Sequence, residues 1–385
     1  MRGQPASVTE EAKPSTQSSP LLYDLTTLQR EANGRFGFSA KTTLSLAQSL
    51  YERHKALTYP RTDSRHLPED YVAVARQTFE MLAGSHQSHL APHAKKALAE
   101  GYVRPSKRIF DNTKVSDHFA IIPTLQEPGV LSDAERKLYD LVVRRFMAVF
   151  FPSAEHLVTT RITTVLTAPT LPASRGSLPP EGDGPGLGRP GAGASHDGKS
   201  YKFQTNGKVL VKPGWLAIYG KEAADEQGDD KDGKSLVAVK PGEMVRNESV
   251  ETKALQTRPP ARYSEATLLG AMEGAGKWIE DDELREAMQE KGLGTPATRA
   301  SIIEGLINEK YMLREGRELI PTAKAFQLMT LLRGLQVEEL SKPELTGEWE
   351  FKLAEMEHGR LSREAFMREI AAMTERIVKK AKEFD

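Results

Sequence analysis

Between residues 39 and 51 apolar positions recur at the spacing of one helix face. Leu44, Ala47 and Tyr51 carry it, with Gln48 among them and Ser39 placed as an N-cap. The same period returns in Tyr71, Val72, Ala75, Phe79 and Leu82, behind Pro68, a residue suited to a first helical turn. It returns again over residues 133–149, so the stretch 21–152 reads as mostly helical. At 156–167 the period shortens to two: HLVTTRITTVLT alternates Thr and Val character and predicts a strand. Strand character resumes at 201–203, 208–211 and 215–219, and residues 236–250 close this β region. Two tracts interrupt it. Residues 168–200 are dominated by Pro, Gly, Ser and Ala and read as an unstructured insertion, and EAADEQGDDKDGK reads as an acidic loop. Helical spacing then runs from about Arg262 to the end. Thr295 and Pro296 open a helix with Ala300, Ile303 and Leu306 or Ile307 inward. A hairpin follows, with strands at 311–313 and 319–320 around a turn at 315–317, and helix followed by hairpin is the outline of a winged helix.

Residues 1–20 hold Ser, Thr, Pro, Gln and Glu with little to bury and read as a flexible leader. A chain of 385 residues accommodates two or three domains of an α+β multidomain protein. Two segments, SAKTTLSLAQSLYERHKALTYPRTD and TPATRASIIEGLINEKYMLREGR, both run cap, helix, aromatic-bearing strand, Arg, a hint of two related winged-helix-like modules.

Charge and cysteine content narrow the classes. Fifty-three basic residues balance 53 acidic ones, so any nucleic-acid surface rests on local patches rather than a basic coat. Zero cysteines exclude disulfides, thiolate zinc sites, iron–sulfur clusters and Cys nucleophiles. No run approaches the roughly 18 apolar residues of a membrane span, and the first 20 residues lack an apolar signal core, so a cytoplasmic protein is expected. His86, His89 and His93 read as a polar loop beside a helix, without a zinc spacing. Asp229, Asp230 and Asp232 lack the spacing of a calcium loop.

Chemistry concentrates in LTYPRTDSRH, residues 57–66. Pro60 pushes Tyr59 toward extended angles, and an extended chain puts Tyr59 and Arg61 on one side. A phenol beside a guanidinium suits attack on a phosphodiester, with Tyr as nucleophile and Arg gripping the anion. A buried Tyr ending a helix–strand unit, with Arg61 paired to Asp63, fits the same residues. In GLGTPATRAS, Gly292 and Gly294 permit close backbone approach to a ligand. The helix start at Thr295, with Thr298 and Arg299, suits a phosphate; a capped winged-helix core helix fits half of these residues.

The 43-residue segment from QREANGRFGFSAKTT through YPRTDSRHLPEDY resembles the active-site segment of type IA DNA topoisomerases of the topoisomerase III branch. SDHFAIIPT, GKVLVKPGWLAIYGK, PPARYSEATLLGAMEGAGK, GLGTPATRASIIEGLINEKYM and LTGEWEFKLAEMEHG look like later blocks of that family, in family order. The resemblance implies part of a type IA toroid. Residues 21–155 would be the winged-helix-like (CAP-like) catalytic-tyrosine domain, 156–255 a β-rich arch, and 256–385 a second winged-helix-like DNA-binding domain. It implies that Tyr59 becomes linked to the 5′ phosphate of a cut single strand and that Arg61 contacts the scissile phosphate. His118 would help position the strand, and Arg65, Thr295, Thr298 and Arg299 would contact DNA. The reaction would be ATP-independent cleavage, strand passage and religation by an isomerase. Family members bind magnesium through an N-terminal Toprim domain, and nothing before Leu21 matches one. The resemblance thus implies a truncated chain with no metal ligands of its own, partnered by single-stranded DNA and by a Toprim-containing polypeptide in trans. The alternative is a Toprim-less remnant that binds single-stranded DNA without cleaving it.

Overall fold

The computed structural model describes residues 1–85, 89–166, 200–220, 236–237, 239–240, 242–289 and 291–384. The chain divides into two compact units, Met1–Ser18 with Ser153–Arg258 and Ser19–Pro152 with Pro259–Asp385. The insertion at 168–200, apart from Ser200, and the acidic loop at 222–234 lie outside the described residues.

The first unit is a four-stranded antiparallel sheet in the order β3-β2-β1-β4, with β1 Pro5–Gln17, β2 Ala154–Leu166, β3 Ser200–Lys212 and β4 Met244–Arg246. Residues 5–17, expected within a flexible leader, are instead an interior strand. Their ladder runs from Ala6 opposite Val165 to Gln17 opposite Ala154. The partner comes from some 150 positions away, and only Ala6 and Val8 are buried, so the segment's own composition gives no sign of it. Pro14 falls where β1 is paired with β2 alone, a setting in which a strand tolerates proline. Residues 215–219, expected as strand, form a 3₁₀ turn over Gly214–Ile218. Gly214 turns the chain at φ +49°, and the Trp215 indole N–H donates to the Gln17 carbonyl at 2.9 Å. The 236–250 stretch contributes only the short β4.

The second unit is helical. Its first half contains α1 Leu25–Phe36, α2 Ala40–Glu52, α3 Val72–Gly84, α4 Ala91–Ala99 and α5 Asp133–Phe150. Ser39 caps α2 as expected, its hydroxyl accepting from the Thr42 N–H. The helix expected at Pro68 begins as a 3₁₀ turn and becomes α-helical at Val72. Phe79, Phe146 and Phe150 stack at 5.2–5.4 Å between α3 and α5. His93 lies in α4 rather than in a loop, because Ala94 and Ala97 bury one face of that helix.

The second half contains α6 Glu265–Glu273, α7 Asp282–Met288, α8 Pro296–Asn308, the hairpin β5 Met312–Glu315 and β6 Glu318–Pro321, α9 Ala323–Gly334, α10 Glu344–Glu357 and α11 Arg363–Lys382. Helix followed by hairpin matches the sequence pattern. The two halves share a core: Ala40 of α2, Leu269 and Met272 of α6, and Ala300 and Ile303 of α8 pack together. Segments assigned by sequence to separate domains, 21–155 and 256–385, are therefore largely one compact unit.

Candidate active site around Tyr59

The loop bearing Tyr59 leaves α2 and is laced to the segment 118–124. Leu57 bridges to Pro123, and the Thr58 N–H donates to the Ile122 carbonyl at 3.0 Å. The Thr58 hydroxyl donates to Ala120 O at 2.9 Å and the Thr62 hydroxyl to His118 O at 3.1 Å. On the other side, the Leu25 N–H donates to Thr62 O at 3.0 Å. These bonds pull the chain back after Tyr59, so the backbone bends at Pro60 and Arg61 instead of running extended.

The bend does not separate the two side chains from a common support. Tyr59 is half-buried, with Tyr51 edge-on at 5.5 Å and the exposed His118 ring at 4.2 Å. Its hydroxyl makes no hydrogen bond among the described residues. Arg61 is exposed, and the Gln48 amide oxygen, oriented to satisfy both groups, accepts from its Nη2 at 2.7 Å and Nε at 3.1 Å. Gln48 and Tyr51 lie three residues apart on one face of α2. One helix face thus holds the phenol ring and the guanidinium.

Behind the loop the charges alternate. Arg65 is bound to Asp24, the N-cap of α1, and to Glu273 at 3.3 Å, which also meets Arg30 at 3.7 Å. Arg299 is 3% exposed. It donates to Leu293 O at 3.1 Å, Lys291 O at 2.7 Å and the Thr26 hydroxyl at 2.8 Å. Burial lowers its pKa, while Glu273, Asp24 and Asp63 act in the opposite sense. Gly292 approaches protein rather than ligand: a Cβ there would stand 2.4 Å from Met272 O and 2.5 Å from Glu273 O. Thr295 and Thr298 remain exposed, joined by the Thr295 N–H to Thr298 Oγ1 bond of 2.8 Å.

A family model described as DNA topoisomerase matches residues 2–368. The chain belongs to the DNA topoisomerase family. It is 38% identical over 390 aligned positions to the DNA topoisomerase 3 of Bacillus subtilis strain 168 and 38% identical over 389 to that of Bacillus cereus. Both alignments cover 99% of this chain and 48% of the relative, so the chain spans about half the length of these relatives. The full-length topoisomerase I from Thermotoga maritima shares the fold, with a TM-score of 0.64 at 21% identity over 99% of this chain and 53% of that one. The type IA, topoisomerase III-like assignment made from the motifs stands.

Magnesium, implied by the topoisomerase resemblance, finds no fit in these residues. Among those described, no group of three or more His, Asp or Glu side chains is placed to hold a metal ion. No helix among the described residues is long and apolar enough to cross a membrane.

Sequence reasoning missed several residues of this candidate site. Gln48 and Tyr51 carried a local signal, a polar and an aromatic residue at i and i+3 just before the tyrosine loop. Asp24, Glu265 and Glu273 carried none, because their partners lie 41 to 225 positions away.

Proposed function

We propose that this chain supplies the nucleophile of a type IA topoisomerase and that Tyr59 is that nucleophile. The Tyr59 oxygen attacks the scissile phosphorus of a single DNA strand. A phosphotyrosyl bond forms to the 5′ side, and the bond to the 3′ oxygen breaks. The phenol proton passes to a base, and the departing 3′ oxygen takes a proton from an acid. Both groups are expected on a Toprim-type domain outside this chain, together with the magnesium carboxylates. Reversal by the 3′ hydroxyl after strand passage reseals the backbone. The ester bond is conserved throughout, so ATP is not needed.

The observation that carries this reading is the half-buried phenol, its hydroxyl without a hydrogen bond among the described residues, held against the same face of α2 as the exposed Arg61. A guanidinium that grips the scissile phosphate stabilises the charge that develops there as the phenol oxygen attacks. Gln48 holds the guanidinium by a neutral amide, so its charge remains available to a phosphate. The His118 ring lies against the Tyr59 ring at 4.2 Å, where it can meet the same strand. Thr295 and Thr298, exposed at the start of α8, are the remaining strand contacts.

The test is covalent capture. With a Toprim domain of a related topoisomerase 3 supplied in trans, end-labelled single-stranded DNA is expected to become attached to the chain. Tyr59→Phe removes the attachment while leaving DNA affinity within about twofold. An adduct that persists in Tyr59→Phe refutes the assignment. Tight single-strand binding with no adduct from the wild-type chain favours the non-cleaving remnant.

A further inference from the structure

Helix α6 bears a carboxylate at each end, and each end reaches a different part of the segment that carries Tyr59. Glu265, the first helical residue and 5% exposed, accepts the Ala40 N–H at 2.8 Å through Oε2. It therefore anchors the N-terminus of α2. Its Oε1 accepts from Arg314 Nε of β5 at 2.6 Å, and Arg314 also binds Glu304 of α8. Glu273, the last helical residue, holds Arg65 at the far end of the tyrosine loop and Arg30 on α1. Asn33 of α1 accepts the Ala266 N–H at 3.2 Å, which seats the same helix on its neighbour. Nine helical residues separate these ends by about 12 Å along the axis.

We propose that α6 is a splint that fixes the tyrosine loop from both sides, with Glu265 and Glu273 as positioning residues for strand cleavage. The catalytic part of this proposal rests on the reading of Tyr59 as nucleophile. The loop's ring contact and its arginine contact both come from α2, through Tyr51 and Gln48. Whatever sets α2 therefore sets the relation of the phenol to the guanidinium. Glu265 does this at one end of the 40–65 segment, and Glu273 does it at the other through Arg65. Arg65, committed to Asp24 and Glu273, acts in this scheme as a holder of the loop and not as a phosphate grip. Because α6 belongs to the same core as α8, a strand lodged at Thr295 and Thr298 bears on the splint and, through it, on Tyr59.

Two measurements test this on the full chain. The first is amide hydrogen exchange over residues 57–66, with residues 141–150 of α5 as an internal standard. Glu265→Ala and Glu273→Gln are each expected to speed exchange at 57–66 at least tenfold while the α5 segment stays within twofold. Glu265→Gln keeps an oxygen for the Ala40 N–H and is expected to restore most of the protection lost in Glu265→Ala. Exchange at 57–66 within twofold of wild type in both variants, or accelerated equally in α5, overturns the splint. The second is adduct formation on labelled single strands with the Toprim domain supplied. The splint predicts a tenfold lower rate at saturating DNA with the half-saturating concentration unchanged; the reverse split overturns it. A wild-type chain that forms no adduct refutes the nucleophile reading alone, and hydrogen exchange still decides the splint.

Discussion

Gly292→Ala should be among the most damaging single-methyl additions in this chain. Gly292 sits at φ +67°, where an L side chain costs about 1–2 kcal/mol. Gly316, in the β5–β6 turn at φ +60°, pays the same conformational cost. The difference is what a Cβ meets. At Gly316 nothing lies within 4 Å, whereas at Gly292 the Met272 and Glu273 carbonyl oxygens lie at 2.4 and 2.5 Å and the Glu273 Cα at 2.8 Å. These are backbone atoms at the end of α6 and cannot swing aside as a side chain would. Relief requires the loop to lift off α6, which breaks the Leu293 N–H to Met272 O bond of 2.7 Å. A buried donor left unsatisfied costs about 1–3 kcal/mol. The sum of the two terms is about 2–5 kcal/mol for Gly292→Ala. For Gly316→Ala it is about 1 kcal/mol, since alanine also reduces the freedom of the unfolded chain. Urea unfolding of both variants, followed by far-ultraviolet circular dichroism in one buffer, measures the contrast. Equal losses within 1 kcal/mol would refute the claim that space, rather than φ, makes Gly292 obligatory.

Glu135 is held at a pKa of about 2, against 4.5, by hydrogen bonds from the Ser132 hydroxyl, the Ser49 hydroxyl and the Ser132 N–H, with His54 adding a smaller electrostatic pull. The folded pKa is the lower one, so its stabilisation is complete above about pH 4.5 and disappears as pH falls toward 2. Glu135→Gln should cost about 1–2 kcal/mol at pH 7 after allowance for solvent screening and flatten the acid limb of a Tm–pH profile. Arg299→Met strands the Leu293 and Lys291 carbonyls and should cost about 3 kcal/mol in urea unfolding; single-strand affinity should change little once the folded fraction is corrected. Arg61→Ala should weaken single-strand binding and reduce the slope of log K against log salt by about 0.7, read by fluorescence anisotropy at several salt concentrations.

How much was legible depends on the distance over which a residue finds its partner. Ser39 was readable as a cap because its acceptor role is satisfied three residues on, at Thr42. The α8 helix and β5–β6 hairpin were readable for the same reason: period, cap and turn lie within some 25 residues. The leader failed as a prediction because β1 is made by β2, not by itself. In GLGTPATRAS the sequence located the glycines correctly and gave them the wrong partner. Gly292 serves the close approach of the loop to α6, which no local pattern announces, and Gly294 lies against the Ile302 and Thr298 side chains of α8.

The same distinction separates one arginine from the others. Arg61, Arg65, Lys107, Arg108 and Arg299 are all candidates for phosphate contact when read along the chain. In the fold, Arg65 is bound by two carboxylates, Arg299 is buried among carbonyls, and Arg108 turns to Ser19. Lys107 forms an exposed pair with Glu69, a partner that solvent screens and a phosphate can displace. Among these five, Arg61 is the one that is exposed and held by a neutral amide. A carboxylate partner would cancel much of the field at an incoming phosphate; the Gln48 amide fixes the direction of the guanidinium and leaves its charge uncompensated. Substituting Gln48→Glu should therefore preserve the geometry and still weaken phosphate binding. Replacing Arg65's partners should loosen the loop without changing the charge of the Arg61 guanidinium.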